Sequence, residues 1–274
     1  MLCAAWAGYS ARVACHPPRH PAAAPSPLPD ATVHTVAAAD GTSFPVWIFR
    51  ASTPRARLLV CHGYYADRAQ VMGIAAGLSR RGYEAVVFEW RGHGSRPGPF
   101  TFGVREREDA GAVLAWLRAH GAGQALPIGI LGLSMGAALA CQVAERFPDI
   151  RAVMTDSIYP RLFPVLAHTV RDRYHLPVIP FAWLTWWGLQ VTLRARLAAR
   201  DPIALAPRLR QPLLDIHGGE DRRASPAQAR WFYERWAGPK DRWEEPGVAH
   251  VNLWSRDPER YGDRVAAFCD RVLR

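Results

Sequence analysis

Short apolar runs that alternate with segments of helical spacing constrain the fold of this chain more than any other feature. The centres of these runs are continuously hydrophobic, as in VVF at 86–88 and GIL at 129–131. Strands of this kind occur where helices cover both faces of a sheet. The sequence therefore predicts an α/β fold built on a mainly parallel, doubly wound sheet.

The alternation covers most of the chain. Strands are predicted at 44–51, 57–63, 83–90, 127–133, 151–157, 212–219 and around DRWEEP at 241–246, and helices at 68–82, 106–121, 135–147, 225–236 and 260–273. The pattern breaks only between about 157 and 208. We therefore expect residues 158–208 to form an insertion, a helical cap, within one domain that spans residues 31–274.

The basic composition does not indicate a nucleic-acid-binding protein. The chain of 274 residues has a formal net charge of +10 at pH 7, and Lys240 is its only lysine. The arginines are scattered and interleaved with acidic residues, so they form no run that could follow a phosphate backbone. We expect no nucleic-acid partner.

The first 30 residues are rich in alanine and proline, and their short apolar stretch is interrupted by Arg12. Such a stretch is too short to span a bilayer and is a poor signal peptide. We expect residues 1–30 to form an extended or disordered arm. Of five cysteines, Cys61 and Cys141 lie in apolar segments and none has metal-binding spacing, which indicates reduced thiols and a cytoplasmic protein.

A serine stands where the strand at 127–133 meets the helix at 135–147. Residues 132–136 read Gly-Leu-Ser-Met-Gly, which matches G-x-S-x-G. Between a strand and a helix this pattern is a nucleophile elbow, in which a strained serine backbone exposes the hydroxyl and the glycines permit close backbone approach. The helix N-terminus also favours a developing oxyanion. Ser134 is the candidate nucleophile.

A serine hydroxyl needs a general base, and the base needs an acid that orients it. In this architecture the acid and then the histidine follow the serine, each at the C-terminal end of a later strand. Asp221 directly follows the strand at 212–219, and His250 lies in the loop before the last helix. We expect Asp221 and His250 to act with Ser134.

Other side chains compete for these two roles. We expect His62 to shape the loop after its strand, His93 to hold a turn, and His217 to be a core histidine within a strand. Glu220 and Asp156 are the alternatives for the acid, and a structural role is expected for Asp156.

From about residue 44 to its C-terminus the chain resembles the α/β-hydrolase superfamily. The likeness rests on ordered motifs, namely VCHGYYADR (60–68), FEWRGHGSRPG (88–98), GLSMGAA (132–138), DIHGGEDRRASP (215–226) and GVAHVN (247–252). Within the superfamily the set is most similar to bacterial carboxylesterases of the serine-aminopeptidase-like and dienelactone-hydrolase-like groups.

The resemblance implies a catalytic triad of Ser134, Asp221 and His250, and an oxyanion hole formed by the backbone N–H groups of Tyr64 and Met135. It implies a serine hydrolase that cleaves carboxylic esters of small molecules through an acyl-enzyme, with no metal and no organic cofactor. The alternatives are a serine peptidase or thioesterase of the same fold, or a binding protein of this fold without catalysis.

Residues 176–193 carry no charge over 18 residues, which is the length of a marginal transmembrane segment. A span at this point would leave Ser134 on one side of the membrane, with Asp221 and His250 on the other, so the three side chains could not meet. We therefore expect the segment to belong to the cap.

Five aromatic residues bear on the substrate pocket. Tyr65 stands where similar hydrolases carry a small residue, and we expect it to narrow the pocket or to offer its hydroxyl to the substrate. We expect Phe181, Trp183, Trp186 and Trp187 of the cap to pack on the core or to line the pocket. Contact of these rings with a membrane surface is the less favoured alternative.

Overall fold

The computed structural model describes residues 2–19, 31–120 and 125–274, and a single eight-stranded sheet lies at its centre. The strands are β1 (Ala31–Ala37), β2 (Ser43–Phe49), β3 (Ala56–Cys61), β4 (Tyr83–Phe88), β5 (Ile128–Leu133), β6 (Ile150–Asp156), β7 (Leu213–Gly218) and β8 (Lys240–Glu245). Their order in the sheet is β1-β2-β4-β3-β5-β6-β7-β8. β2 runs antiparallel to β1 and β4, and the pairs from β4 onward to β8 are all parallel.

Helices cover both faces of this sheet. They are α1 (Leu2–Cys15), α2 (Ala69–Arg80), α3 (Glu106–His120), α4 (Met135–Arg146), α5 (Leu162–Tyr174), α6 (Val178–Leu193), α7 (Pro202–Leu205), α8 (Pro226–Arg235), α9 (Leu253–Arg256) and α10 (Pro258–Val272). Apolar side chains of α3, α4 and α8 pack on one face, and those of α2 and α10 pack on the other. The doubly wound α/β architecture expected from the apolar runs is confirmed.

Local sequence explains where several of these helices begin and end. α2 ends before Gly82, whose φ of +84° lies in the left-handed region that glycine adopts without strain. α10 begins at Pro258, and the Asp257 carboxylate accepts a hydrogen bond of 3.0 Å from the N–H of Arg260. This cap fixes the start of the helix that follows the His250 loop.

The N-terminal segment corrects the expectation of an extended or disordered arm over residues 1–30. Leu2–Cys15 forms α1, while residues 20–30 lie outside the described residues. α1 crosses α6 so closely that a Cβ on Gly188 would lie 2.3 Å from the carbonyl oxygen of Ala7. The indole Nε1 of Trp6 donates to the carbonyl of Phe181 at 3.1 Å. A helix of this length is marginal alone and is stabilised by such tertiary contacts.

The chain between β6 and β7 forms α5, α6, α7 and two 3₁₀ helices, at Leu197–Arg200 and Ala206–Arg208. α5 and α6 pack together through Phe163, whose ring centroid is 4.6 Å from that of Trp183. The Asp201 carboxylate accepts a hydrogen bond of 3.0 Å from the N–H of Leu162, which joins the start of α5 to the segment that returns to the sheet. Among the described residues, no helix combines the length and apolarity needed to cross a membrane.

Candidate active site

Ser134 is the single residue between β5, which ends at Leu133, and α4, which begins at Met135. Its backbone has φ 53° and ψ −111°, a conformation that is strained for any residue with a Cβ. The Ser134 N–H donates to the carbonyl of Asp156 at 2.8 Å, which holds the turn against β6. The hydroxyl is thereby lifted off the strand end and is partly exposed.

The two glycines that flank Ser134 are required by close backbone contacts. A Cβ on Gly132 would lie 2.1 Å from the carbonyl oxygen of Gly136. A Cβ on Gly136 would lie 2.4 Å from the carbonyl oxygen of Cys61 at the end of β3. Both separations are far inside van der Waals contact, so any side chain here would push α4 away from the sheet.

The structure brings together the three side chains selected from the sequence. Nε2 of His250 is 2.9 Å from Oγ of Ser134, and Nδ1 of His250 is 2.6 Å from Oδ2 of Asp221. Because a carboxylate can only accept, Nδ1 carries the proton and Nε2 is free to accept from the serine hydroxyl. The arrangement can draw a proton from Ser134 toward His250 while Asp221 fixes the tautomer.

Asp221 is buried, and its second oxygen is also satisfied. Oδ1 accepts hydrogen bonds from the backbone N–H groups of Arg223 and Ala224 at 2.9 and 2.8 Å. Burial opposes ionisation, but the hydrogen bond and charge of His250 together with the backbone donors outweigh it, so the pKa of Asp221 lies below its ordinary value. The carboxylate therefore stays ionised at neutral pH.

The rival acids lie elsewhere. The buried carboxyl of Asp156 accepts from the hydroxyls of Ser157 and Tyr261, at 2.9 and 3.0 Å, rather than from His250. Burial raises the pKa of Asp156 to about 6. Glu220 is exposed to solvent at the turn after β7.

The rival histidines are buried and neutral. Nε2–H of His217 donates to the carbonyl of Ala224 at 2.9 Å, and burial lowers the pKa of its imidazole. Nδ1–H of His93 donates to the carbonyl of Arg91 at 3.1 Å, and burial lowers the pKa of His93 to about 3. Both rings join neighbouring backbone segments, as expected for histidines of the core.

The loop after β3 presents backbone N–H groups beside Ser134. Nδ1–H of His62 donates to the carbonyl of Gly63 at 2.8 Å, while its Nε2 accepts from the N–H of Trp90 at 3.0 Å. Burial lowers the pKa of His62 to about 4, so the ring is neutral and can accept in this way. In the described part of the chain, the N–H groups of Tyr64 and Met135 enter no hydrogen bond and are available to a ligand.

Sequence reasoning missed two supports of this loop. Oε1 of Gln70 accepts the N–H of Gly63 at 2.7 Å, and the hydroxyl of Tyr64 donates to the carbonyl of Ala14 at 2.8 Å. The position of Gln70 at the start of the helix after the loop is a signal that could have found it. The contact with α1 has no local signal, because it joins segments 50 residues apart.

A cavity of about 510 Å³ opens beside Ser134 and His250. Most of its wall comes from α1, α5 and the loop after β3, including Trp6, Val13, Tyr65, Leu162, Val165 and Leu166. The wall is largely apolar, and its polar side chains include Asp172, Arg173 and Arg223 besides Ser134 and His250. Such a cavity is typical of a small-molecule site.

The expectation that the four aromatic residues of the cap line the pocket is wrong, and its alternative, that they pack on neighbouring elements, holds for Phe181 and Trp186. Tyr65 lines the cavity, but Phe181, Trp183, Trp186 and Trp187 are not among the described residues of its wall. The side chains of Trp183 and Trp187 are 54% and 63% exposed. The Trp186 ring packs on α5, and the Phe181 ring packs on α1. The physical reason is that α1 and α5 form the wall and α6 packs on them.

Comparisons with known proteins agree with this fold. A family model described as the alpha/beta hydrolase fold matches residues 56–178. The esterase Pf2001 of Pyrococcus furiosus has a similar structure, with a TM-score of 0.80 and 24% sequence identity, over 95% of this chain and 98% of that one.

Two bacterial relatives are similar in sequence. The uncharacterized protein YqkD of Bacillus subtilis is 24% identical over 218 residues, which cover 78% of this chain and 71% of the relative. The uncharacterized protein Rv2307c of Mycobacterium tuberculosis is 28% identical over 254 residues, which cover 89% of this chain and 81% of the relative. The strand order, the serine turn between β5 and α4, and the family model show that the chain has the α/β-hydrolase fold.

Proposed function

We propose that this protein is a serine hydrolase that cleaves carboxylic esters through an acyl-enzyme intermediate. The observation that carries the proposal is the continuous hydrogen-bonded path from Oγ of Ser134 through His250 to Asp221, with contacts of 2.9 and 2.6 Å. Nucleophile, base and orienting acid are the three groups that acyl transfer from an ester to a serine requires.

The first half of the reaction forms the acyl-enzyme. As Oγ of Ser134 attacks the ester carbonyl, Nε2 of His250 takes the hydroxyl proton and the carbonyl oxygen becomes an oxyanion. The resulting imidazolium is stabilised by the ionised Asp221. When the tetrahedral intermediate collapses, the bond to the alcohol oxygen breaks and Nε2–H protonates the leaving alkoxide.

The second half releases the acid. Water takes the place of the alcohol, and His250 removes a proton from the water as its oxygen attacks the acyl carbon. Collapse breaks the bond between the acyl carbon and Oγ, and the proton returns from Nε2 to Ser134. The products are one alcohol, one carboxylic acid and the original enzyme.

The backbone N–H groups of Tyr64 and Met135 form the oxyanion hole in this proposal. Both flank Ser134, and Met135 is the first residue of α4, where the helix dipole adds to the attraction. Each donor is worth on the order of 3 kcal/mol of transition-state stabilisation. The hydrogen bond of 2.7 Å from Gly63 to Gln70 fixes the loop before Tyr64.

The segment at 158–208 acts as a cap, and its α5 supplies the wall that faces Ser134. The apolar wall favours esters with an aliphatic or aromatic part. Tyr65 stands at the cavity with its hydroxyl accepting from Arg173 at 3.0 Å, which leaves the phenol proton to donate to substrate.

A fluorophosphonate probe tests the proposal, because Oγ of an activated serine displaces fluoride and becomes phosphonylated. The purified protein should be labelled once and should hydrolyse p-nitrophenyl butyrate, whereas Ser134→Ala should do neither. Ser255→Ala, at an exposed serine in α9, is the matched control and should be labelled normally. Undiminished labelling of Ser134→Ala, or a folded wild type that neither reacts nor turns over esters, would overturn the proposal.

The same acyl group presented as an oxygen ester, a thioester and an anilide separates the related activities. The oxygen ester should give the highest kcat/KM. A higher value for the thioester or the anilide would make the protein a thioesterase or a peptidase of this fold.

A further inference from the structure

One face of α6 exposes a row of large apolar side chains. Ile179, Trp183, Trp187 and Val191 are 72%, 54%, 63% and 56% exposed. Trp183, Trp187 and Val191 follow one another at a spacing of four residues, which puts them side by side along the helix. Ile179 precedes them at a kink, where its φ of −101° and ψ of 125° are not helical. Together they make up four of the seven large hydrophobic side chains that are exposed in the described part of the chain. We call this row the α6 face.

The α6 face contributes one ring contact to the packing of the helix, from Trp183 to Phe163 of α5. The opposite side of α6 is buried through small or compact side chains, including Ala182, Thr185, Gly188 and Leu189. Thr185 accepts a hydrogen bond of 3.1 Å from the indole of Trp6, which anchors α6 to α1. The helix therefore has a well-packed inner side, and two of its three tryptophans, Trp183 and Trp187, are left outside.

Positive charge lies near the α6 face in the chain, although residues 176–193 carry no charge. Arg194 and Arg196 directly follow the helix, and Arg12 is exposed on the adjoining α1. Within residues 2–19, 31–120 and 125–274, none of these three arginines forms an ion pair with a carboxylate. An apolar row with unpaired guanidinium groups nearby is complementary to a surface on which anionic groups cover an apolar interior.

We propose that the α6 face docks on the surface of an anionic lipid bilayer, with the helix lying in the interface. Indole rings favour the level of the lipid headgroups because they combine a large apolar area with a polar N–H. Ile179 and Val191 enter the acyl boundary beside them, and the arginines contact anionic headgroups. The helix lies on the bilayer, in keeping with the finding that no helix of the described residues could cross one.

Charge argues against a second copy of the chain as the occupant. Two α6 faces packed together would bring the arginines of both copies close, with no carboxylate on the face to offset their repulsion. An anionic bilayer instead attracts each arginine near its surface. The formal net charge of +10 adds attraction over a longer range.

Vesicle flotation tests the docking surface. The full chain is mixed with vesicles of phosphatidylcholine alone, or of phosphatidylcholine and phosphatidylglycerol in equal parts, at low ionic strength. Wild type should float with the anionic vesicles, and the double variant Trp183→Ser/Trp187→Ser should lose about tenfold or more in partition. Arg194→Gln/Arg196→Gln should weaken binding to anionic vesicles and reduce its salt dependence.

Val33→Ser is the matched control, since Val33 is 58% exposed on the edge strand β1, away from α6, and should float as wild type does. Far-ultraviolet circular dichroism and cooperative urea unfolding check that each variant is folded. If the double variant Trp183→Ser/Trp187→Ser fails to fold, the double variant Ile179→Gln/Val191→Gln replaces it in the test.

The proposal is overturned if wild type does not float with anionic vesicles, or if loss of both tryptophans leaves flotation unchanged. It is also overturned if wild type forms a concentration-dependent dimer in sedimentation velocity and the double variant Trp183→Ser/Trp187→Ser does not. The α6 face would then bind a second copy of the chain. These readouts do not depend on catalysis, so they stand apart from the test of the esterase activity.

Discussion

The backbone N–H of Val251 donates a hydrogen bond of 2.9 Å to the hydroxyl of Ser157, which ties the loop of His250 to the end of β6. Ser157 and Val251 both have positive φ values, 55° and 51°, so both ends of the contact are held in a conformation that side chains disfavour. The Ser157 hydroxyl in turn donates to Asp156 at 2.9 Å. Asp156 thus acts on His250 through Ser157.

Loss of the Ser157 hydroxyl should misplace the imidazole of His250. We expect Ser157→Ala to lower kcat about ten- to a hundredfold, because small displacements of a base slow proton transfer strongly, while KM changes little. Thr155→Val is the control, since the Thr155 hydroxyl donates to Asp215 at 2.9 Å and not toward the loop. Equal kcat losses in the two variants would contradict the positioning role.

Asp221→Asn should be far more damaging than changes to the other acids. An amide at this position can donate to Nδ1 and so favour the tautomer whose Nε2 cannot accept, and kcat should fall about 10³- to 10⁴-fold. Asp156→Asn should cost less, because the Asp156 carboxyl accepts from Ser157 and Tyr261 rather than from His250. Glu220→Gln should be near wild type. Steady-state kinetics of purified variants decide the order, and a larger loss at Asp156 or Glu220 would move the acid.

The cavity wall should select the acyl chain of the substrate. Each buried methylene gains about 0.8 kcal/mol, so kcat/KM should rise roughly fourfold per methylene from acetate until the cavity is full, between butyrate and octanoate. Val13→Trp fills the wall from α1 and should suppress the longer esters while sparing acetate. Trp187→Ser should leave the profile unchanged. A wild-type maximum at acetate would mean that the cavity does not hold the acyl chain.

The crossing of α1 and α6 should be sensitive to volume at Gly188. Gly188→Val places side-chain atoms against the carbonyl of Ala7, where even a Cβ would be 2.3 Å away, so α1 should detach. Hydrogen exchange should then accelerate in α1, and activity on long esters should fall. Gly8→Ala on α1, whose Cβ meets nothing within 4 Å, is the control and should be neutral or slightly stabilising. Unchanged exchange in α1 of Gly188→Val would contradict the close crossing.

Asp201 should make stability depend on pH. Burial raises its pKa from 3.8 to about 7, against the opposing effects of the Leu162 N–H and of Arg161. A raised carboxyl pKa contributes stability below pH 3.8 that is lost as pH rises to about 7. At about 1.4 kcal/mol per pH unit, this loss is at most about 4 kcal/mol.

Asp201→Asn keeps an acceptor for Leu162 but cannot ionise. Its free energy of unfolding should therefore exceed that of wild type at pH 8 and lose this advantage at pH 4.5, as measured by urea denaturation at both values. A difference between the two proteins that is the same at pH 4.5 and pH 8 would show that Asp201 does not titrate in this window.

The sequence alone determined the layers of the fold and the turn that carries Ser134, because both are encoded locally. Apolar runs set the strands, and the glycines at 132 and 136 are the residues that the close approach of α4 to β5 and β3 permits. The order of Ser134, Asp221 and His250 followed from the same reading, since parallel strands deliver their C-terminal ends to one edge of the sheet.

Only the tertiary structure decided what the N-terminal segment and α6 do. α6 is apolar on all sides, so its sequence carries no preference for the side that is buried, and the crossing with α1 at Gly188 turned Trp183 and Trp187 outward. α1 itself is stabilised by contacts with segments far along the chain, such as Tyr64 and Phe181. The tie between Ser157 and Val251 spans 94 residues, a separation at which no local pattern can specify a hydrogen bond.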